Sequence, residues 1–525
     1  MTGNLGKILL LSVLGLYFGT LALANNLSVV NVTLGTRNPN AKTVMVTFNV
    51  SWQNSWRNKI NHDAAWLTVR LNSTQATPVA KQLCQITATG VNPAGTSPGT
   101  GSNLEIYVPK DSYGAFLRPS NTGFLGNIDT KNVQLTINYQ SCGFSDNDQI
   151  YASVFGLEMV FIPQGSFYAG DYNTSVASLN SGTGDASPWR IGSENAIPVS
   201  NPPSGGYQYI SAGNPGEFAT GFLFTIPAAF PKGYNAFYAM KYELNEGQWA
   251  EFLNSLPTNA ARANHDLSDN NHKNSTSVVN RNTLSCSGTP LVCATQRPSR
   301  AVGYLSWMDL AAFLAWDALR PMTELEFEKM SRGPLLSSAG EYIWGNQIIT
   351  PVSAISGTTE DGTETVTTLN ANANYGNSTF SGGDSAQGVY YQTGPLRGGI
   401  FALANSNRTS AGASYYGVMD LGGNLKERVV TIGNNAGLAF TGNHGTGVLN
   451  TTAGYEGNAN VAGWPGMDAQ AQNGVDGAAG SGFRGGSWAD SSNYLRTSDR
   501  LEAALTKTDA QSIYGGRGVR TYDGN

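Results

Sequence analysis

Charged side chains are few in this sequence. Asp, Glu, Lys and Arg make up 13% of its 525 residues, against roughly 25% in ordinary soluble proteins. Their balance is slightly acidic, at −5, and no basic arm or Lys/Arg cluster breaks it. That excludes the electrostatic footprint of a nucleic-acid-binding chain. Histidine is rarer still. His62, His265, His272 and His444 show no H-x-x-x-H spacing and read as ordinary polar residues rather than metal ligands. The four cysteines contain no C-x-x-C pair, which argues against a structural zinc. Beyond the N-terminus, no stretch is long and apolar enough to span a bilayer.

What is abundant is glycine, 63 residues, which favours loops and a polar, weakly charged surface. The N-terminus carries one basic residue, Lys7, an apolar run from Ile8 to Leu23, and Ala22 and Ala24 in an A-x-A arrangement. This predicts a secretory signal peptide over residues 1–24, rather than an uncleaved anchor, because the run is short and ends in a cleavage pattern. The expected mature chain is therefore secreted, extracellular or at the cell surface, with 36 acidic against 30 basic residues, a net −6. In an oxidising compartment, four cysteines suggest two disulfides, most simply Cys84 with Cys142 and Cys286 with Cys293.

From Asn25 to Phe155 the pattern alternates in period two, as in TVMVTFNVSW, AAWLTVRL and NVQLTINY, between Asn, Gly, Pro and Ser clusters. This predicts an all-β, immunoglobulin-like sandwich over 25–155. After Gly156 the character changes. Three capping boxes announce helices: Asn245 with Gln248, Ser306 with Asp309, and Thr323 with Glu326, the last ended by Gly333. The middle helix is apolar nearly all round and should be buried. Four long polar stretches, roughly 173–232, 257–300, 348–397 and 441–480, read as insertions that either decorate the surface or form contacts.

Taken in order, the motifs EMVFIPQGSFYAGD, FYAMKYELNEGQWAEFLN, RPMTELEFEKMSRG, YIWG, YYGVMDLGGNLKE, FRGGSW and GGRGVR resemble the formylglycine-generating enzyme, or sulfatase-modifying-factor, family over 156–525. The resemblance implies an α+β, mostly irregular, C-type-lectin-like fold following the sandwich. In catalytic members the R-G-G-S segment continues to two cysteines that bind copper and oxidise a substrate cysteine. Counted from Arg484, those positions hold Asp490 and Leu495. A carboxylate suits Cu(I) poorly and leucine offers no donor, so no copper and no catalytic residues are expected, and FRGGSW is read as scaffold. A related branch with iron chemistry draws its ligands from a His-rich helical domain; the preceding unit here is β-rich and holds only His62.

The family's D/N-x-x-G-N-x-x-E loop binds calcium. Its counterpart here implies Asp420, the carbonyls of Gly423 and Leu425, and Glu427 as ligands, a hard-oxygen set that suits Ca²⁺. The alternative is a glycine turn with two solvated acids. Lys426 and Arg428 replace the family's aromatic pair, and the resemblance implies a second calcium site near Asn374. Arg320, Glu324 and Glu328 read as a surface or half-buried ion-pair ladder at helical spacing.

These features favour a non-catalytic extracellular protein, a pseudoenzyme that binds a carbohydrate or protein ligand as an adhesin does, or self-assembles with other subunits into a layer, sheath or filament. The competing reading is a secreted enzyme of the formylglycine-generating type, or another oxidoreductase on the same fold.

Overall fold

The computed structural model describes residues 27–73, 82–181, 186–200, 206–268 and 280–524. The expected signal peptide and His272 lie outside them. Among the described residues no helix is long and apolar enough to cross a membrane.

The alternating N-terminal segments form the two sheets of a sandwich. One has the order Ser28–Leu34, Thr43–Arg57, Phe124–Asn138 and Gln85–Ile86. The other has nine strands, and its central pair is Asp63–Ser73 antiparallel to Ile150–Ile162. Val46, Phe48, Val50 and Trp52 of the first sheet meet Ala65, Leu67, Val69 and Leu71 of the second in one core.

Period two gives the Asp63–Ser73 strand a second face. Ala64 and Trp66 point away from the sandwich into the core built around the buried helix Trp307–Trp316. The polar side chains on that face are matched to the helix end. Thr68 Oγ1 donates to Asp317 Oδ1 at 2.6 Å, Trp66 Nε1 donates to the Asp317 carbonyl at 3.1 Å, and the Arg70 guanidinium lies 3.5 Å from the Trp316 ring centre.

Residue 155, expected from the sequence to end the first unit, lies in the middle of the Ile150–Ile162 strand. That strand pairs with Asp63–Ser73 from Ile150 to Val160, and on its other side Met159 to Ile162 pair with Phe237–Met240. The sheet then continues through Gly518–Thr521 to Arg320–Pro321. The sandwich and the larger unit therefore share one sheet. Val154 faces the sandwich core, and the Phe155 ring packs 4.8 Å from Trp316.

All three capping boxes form, on the helices Glu246–Ser255, Trp307–Trp316 and Glu324–Arg332. His265 Nδ1 lies 2.8 Å from Asp309, the capping acid of the middle helix. Cys84 is joined to Cys142 and Cys286 to Cys293, the pairing expected from the sequence.

The insertions are fastened from within. Arg297 and Arg300, in the second, reach Asp384, in the third, at 2.6 and 2.7 Å. In the fourth, Gly447 N donates to the Ala315 carbonyl at 2.9 Å, and the Pro465 carbonyl accepts from Trp307 Nε1 at 2.7 Å.

Candidate functional site

Three short strands organise the region singled out by sequence. Lys426–Val430 pairs antiparallel with Ser481–Arg484 and parallel with Tyr514–Gly515. Glu427 lies opposite Arg484 in this register. Beyond Arg484 the chain turns through Gly485 and Gly486, both at positive φ. A Cβ on Gly485 would stand 2.2 Å from the Leu421 carbonyl oxygen, and one on Gly486 would stand 2.8 Å from Leu495. Glycine is thus required at both positions, Gly485 pressing against the 420–427 loop and Gly486 against Tyr494 and Leu495. The Gly485 carbonyl accepts from Gly423 N at 2.9 Å, which fixes the two loops together.

The arginines of the segment point inward. Arg484 donates to Glu328 Oε1 at 3.0 Å and to the Thr497 carbonyl at 2.6 Å. Arg500 Nε donates to Glu324 Oε2 at 2.6 Å, and Arg332 holds the other Glu328 oxygen at 3.2 Å. Arg320 forms a two-pronged pair with Glu326 at 2.9 and 2.6 Å. These groups are fully buried and Arg320 pairs with Glu326, so the surface or half-buried ladder of Arg320, Glu324 and Glu328 expected from helical spacing is not formed. The reason is tertiary: Glu324 and Glu328 face the 484–500 segment, which supplies their counter-charges, and Arg320 takes the capping acid. Burial alone would raise the Glu324 pKa, but the Arg500 charge outweighs it and holds the group below its ordinary value.

Asp490 and Leu495 do different structural work. The Asp490 carboxylate accepts from Ser487 N at 2.9 Å and from Ser487 Oγ at 2.6 Å, closing the turn after the glycines. It also lies 3.4 Å from Lys426 Nζ, which is paired with Glu502. Leu495 is fully enclosed in a core with Ile343 and Leu421. All four cysteines of the chain are in disulfides, one in the sandwich and one in the Leu284–Ser287/Val292–Thr295 hairpin.

The 420–427 loop carries a second constellation. Asp420 and Asn424 both have positive φ, and Asp420 Oδ2 accepts from Gly399 N at 2.6 Å. Glu427 Oε1 accepts from Arg517 Nε at 2.6 Å, while its buried Oε2 has no hydrogen-bond donor among the described residues. Glu243, given no role from sequence alone, closes the site: its carboxylate accepts from Leu425 N at 2.9 Å and from Asn424 Nδ2. It lies in the FYAMKYELNEGQWAEFLN motif, which is the available signal.

Burial raises the pKa of Glu243 well above its ordinary value, and the charges of Glu427 and Asp420 raise it further. Burial also raises Asp420, against the Gly399 amide, and Glu427, against Arg517. Three buried carboxyls thus face Arg517, and of these Asp420 alone also feels Arg397, an arrangement still short of positive charge. Asn374, which donates to Asn424 Oδ1 at 3.0 Å, leaves its own buried Oδ1 without a donor. Among the described residues no three His, Cys, Asp or Glu side chains already meet as a metal cage, so a cation here would draw much of its shell from main-chain oxygens.

The architecture is an irregular α+β unit sharing a sheet with a β-sandwich. The model of the sulfatase-modifying factor enzyme 1-like domain (FGE-sulfatase) matches residues 210–522, more than half of the chain, and the chain belongs to that family. No curated protein matches it.

Proposed function

We propose that this chain is an exported, non-catalytic member of its family, in which the domain serves as a rigid binding or assembly frame. One observation carries the reading: the positions expected to hold the copper-binding cysteines are given over to a turn-closing aspartate, Asp490, and an enclosed leucine, Leu495. The disulfides support it, since no cysteine remains as a free thiol. Copper-dependent oxidation of a thiol needs soft, low-pKa sulfur ligands. With other subunits as partners, the chain would build a layer, sheath or filament; with a surface carbohydrate or protein, it would act as an adhesin. Electron microscopy of the mature chain separates assemblies from monomers.

The same reading takes the 420–427 loop as a calcium site. Asp420, Glu427 and the carbonyls of Gly423 and Leu425 would hold the ion, and Glu243 would add negative charge beside it. The orphaned Glu427 oxygen and the excess of buried carboxyls support this donor set. Calcium there would neutralise the cluster and stiffen the loop against the Gly485 turn.

The deciding assay is mass spectrometry of a cysteine-containing sulfatase peptide after incubation with copper-loaded protein and oxygen. No formylglycine is expected. Copper-dependent product would overturn the non-catalytic reading.

A further inference from the structure

Where the sandwich meets the larger unit, away from the segments above, a cavity of about 410 Å³ opens among Arg57, Lys59, His62, Arg118, Phe161 and Tyr522. In a chain with so little charge, this concentration of cations is unusual. Arg57 Nη1 and Arg118 Nε both donate to the same oxygen of Glu105, each at 2.7 Å. One carboxylate therefore answers two guanidiniums. Lys59 is exposed and forms no ion pair among the described residues. The wall thus carries an excess of two positive charges.

The histidine does not add to them. Burial, then the charges of Arg118 and Arg57, hold the His62 pKa well below its ordinary value. Arg118 donates to the Tyr238 hydroxyl at 3.0 Å, and that hydroxyl lies 3.0 Å from His62 Nε2, a contact a neutral imidazole completes by accepting. The His62 ring stacks on Phe161 at 4.8 Å, and the Tyr522 ring meets Phe161 edge-on at 5.2 Å. Positive charge at the rim and fixed aromatic rings in the wall match a small ring-shaped molecule bearing one oxoanion, and the volume suits such a ligand.

We propose that this cavity binds a small organic ligand through a carboxylate, sulfate or phosphate group held by Lys59 and the two arginines, with the ligand's ring packed against Phe161 and Tyr522. The site shares no residue with the 420–427 loop or the 483–500 segment, so a positive result in the formylglycine assay would leave it untouched.

The test is calorimetric titration of the mature protein with glucuronate, glucose 6-sulfate and glucose 6-phosphate, with glucose as the neutral control. The three share one sugar ring and differ in the anionic group at position 6, and the tightest of the three names the anion chemistry. At least one should bind about tenfold or more tightly than glucose. Affinity should fall with added salt, as exposed charge contacts are screened. Lys59→Glu, an exposed change outside any core, should weaken binding by about tenfold or more with an unaltered melting temperature. Binding of glucose equal to that of the anions, no binding of any probe, or Lys59→Glu binding like the wild type would each overturn the proposal.

Discussion

Glu324 is fully enclosed, yet both of its oxygens are claimed. Arg500 takes Oε2 at 2.6 Å and Oε1 at 3.2 Å, and Ile432 N donates to Oε1 at 2.8 Å. Removing one charge from such a pair strands the other in low dielectric, so Glu324→Gln should lower the unfolding free energy by about 3–5 kcal/mol. The double variant Glu324→Leu/Arg500→Leu should lose clearly less than the sum of its single variants in denaturant titrations. Simple additivity would mean the two side chains do not act as a unit. Asp499, next to Arg500 in the chain, behaves oppositely: burial raises its pKa to about 6, against a hydrogen bond from Leu501 N. A carboxyl whose folded pKa is raised contributes stability that is full below the unfolded value, about 4, and is lost as pH rises through about 6. Asp499→Asn should therefore gain on the wild type by up to about 3 kcal/mol between pH 4 and 7. Melting curves in that window should diverge, and parallel curves would contradict the assignment. The arginines of this segment are conspicuous in the sequence. Their partners are not, because Glu324 and Glu328 lie 176 and 156 residues from Arg500 and Arg484.

Among the elements, those specified by local chemistry were legible. Each capping box joins a side chain to an amide three residues on, so Asn245, Ser306 and Thr323 marked their helices without tertiary information. The 420–427 loop was legible only in part. Its glycine and acids stand out, but Glu243 reaches it from 182 residues away and Arg517 from 90. That loop is where calcium should act. If the ion binds only the folded state, free calcium at one hundred times the Kd should add about 2.7 kcal/mol to stability. The wild type should melt higher in calcium than in chelator. Asp420→Asn, which keeps an acceptor for Gly399 N, should lose most of that difference. A wild-type melting temperature indifferent to calcium would remove the ion from this loop.

In the molecule as a whole, one sheet crosses from the sandwich into the family domain. The sequence suggested two bodies because period-two strands give way to capped helices near Gly156. Composition registers that change, but it cannot register that one strand serves both sides. The Ile150–Ile162 strand pairs over eleven registered positions with Asp63–Ser73, whose outer face is covered by the Trp307–Trp316 helix. Separating the units would expose Trp66, Phe155 and Trp316, and would leave the Asp317 carboxyl, whose pKa burial raises to about 7, without Thr68 and Arg70. Exposing large buried apolar side chains costs about 1.5–3 kcal/mol each. The two units should therefore unfold together. Scanning calorimetry of the mature chain should give one transition with equal calorimetric and van't Hoff enthalpies. A fragment beginning at residue 156 should be unable to fold, because its sheet ends on a strand without its long partner and the helix face opposite Trp66 is bare. Two resolved transitions, or a 156–525 fragment melting at the temperature of the whole chain, would show that the shared sheet does not bind the units into one cooperative body.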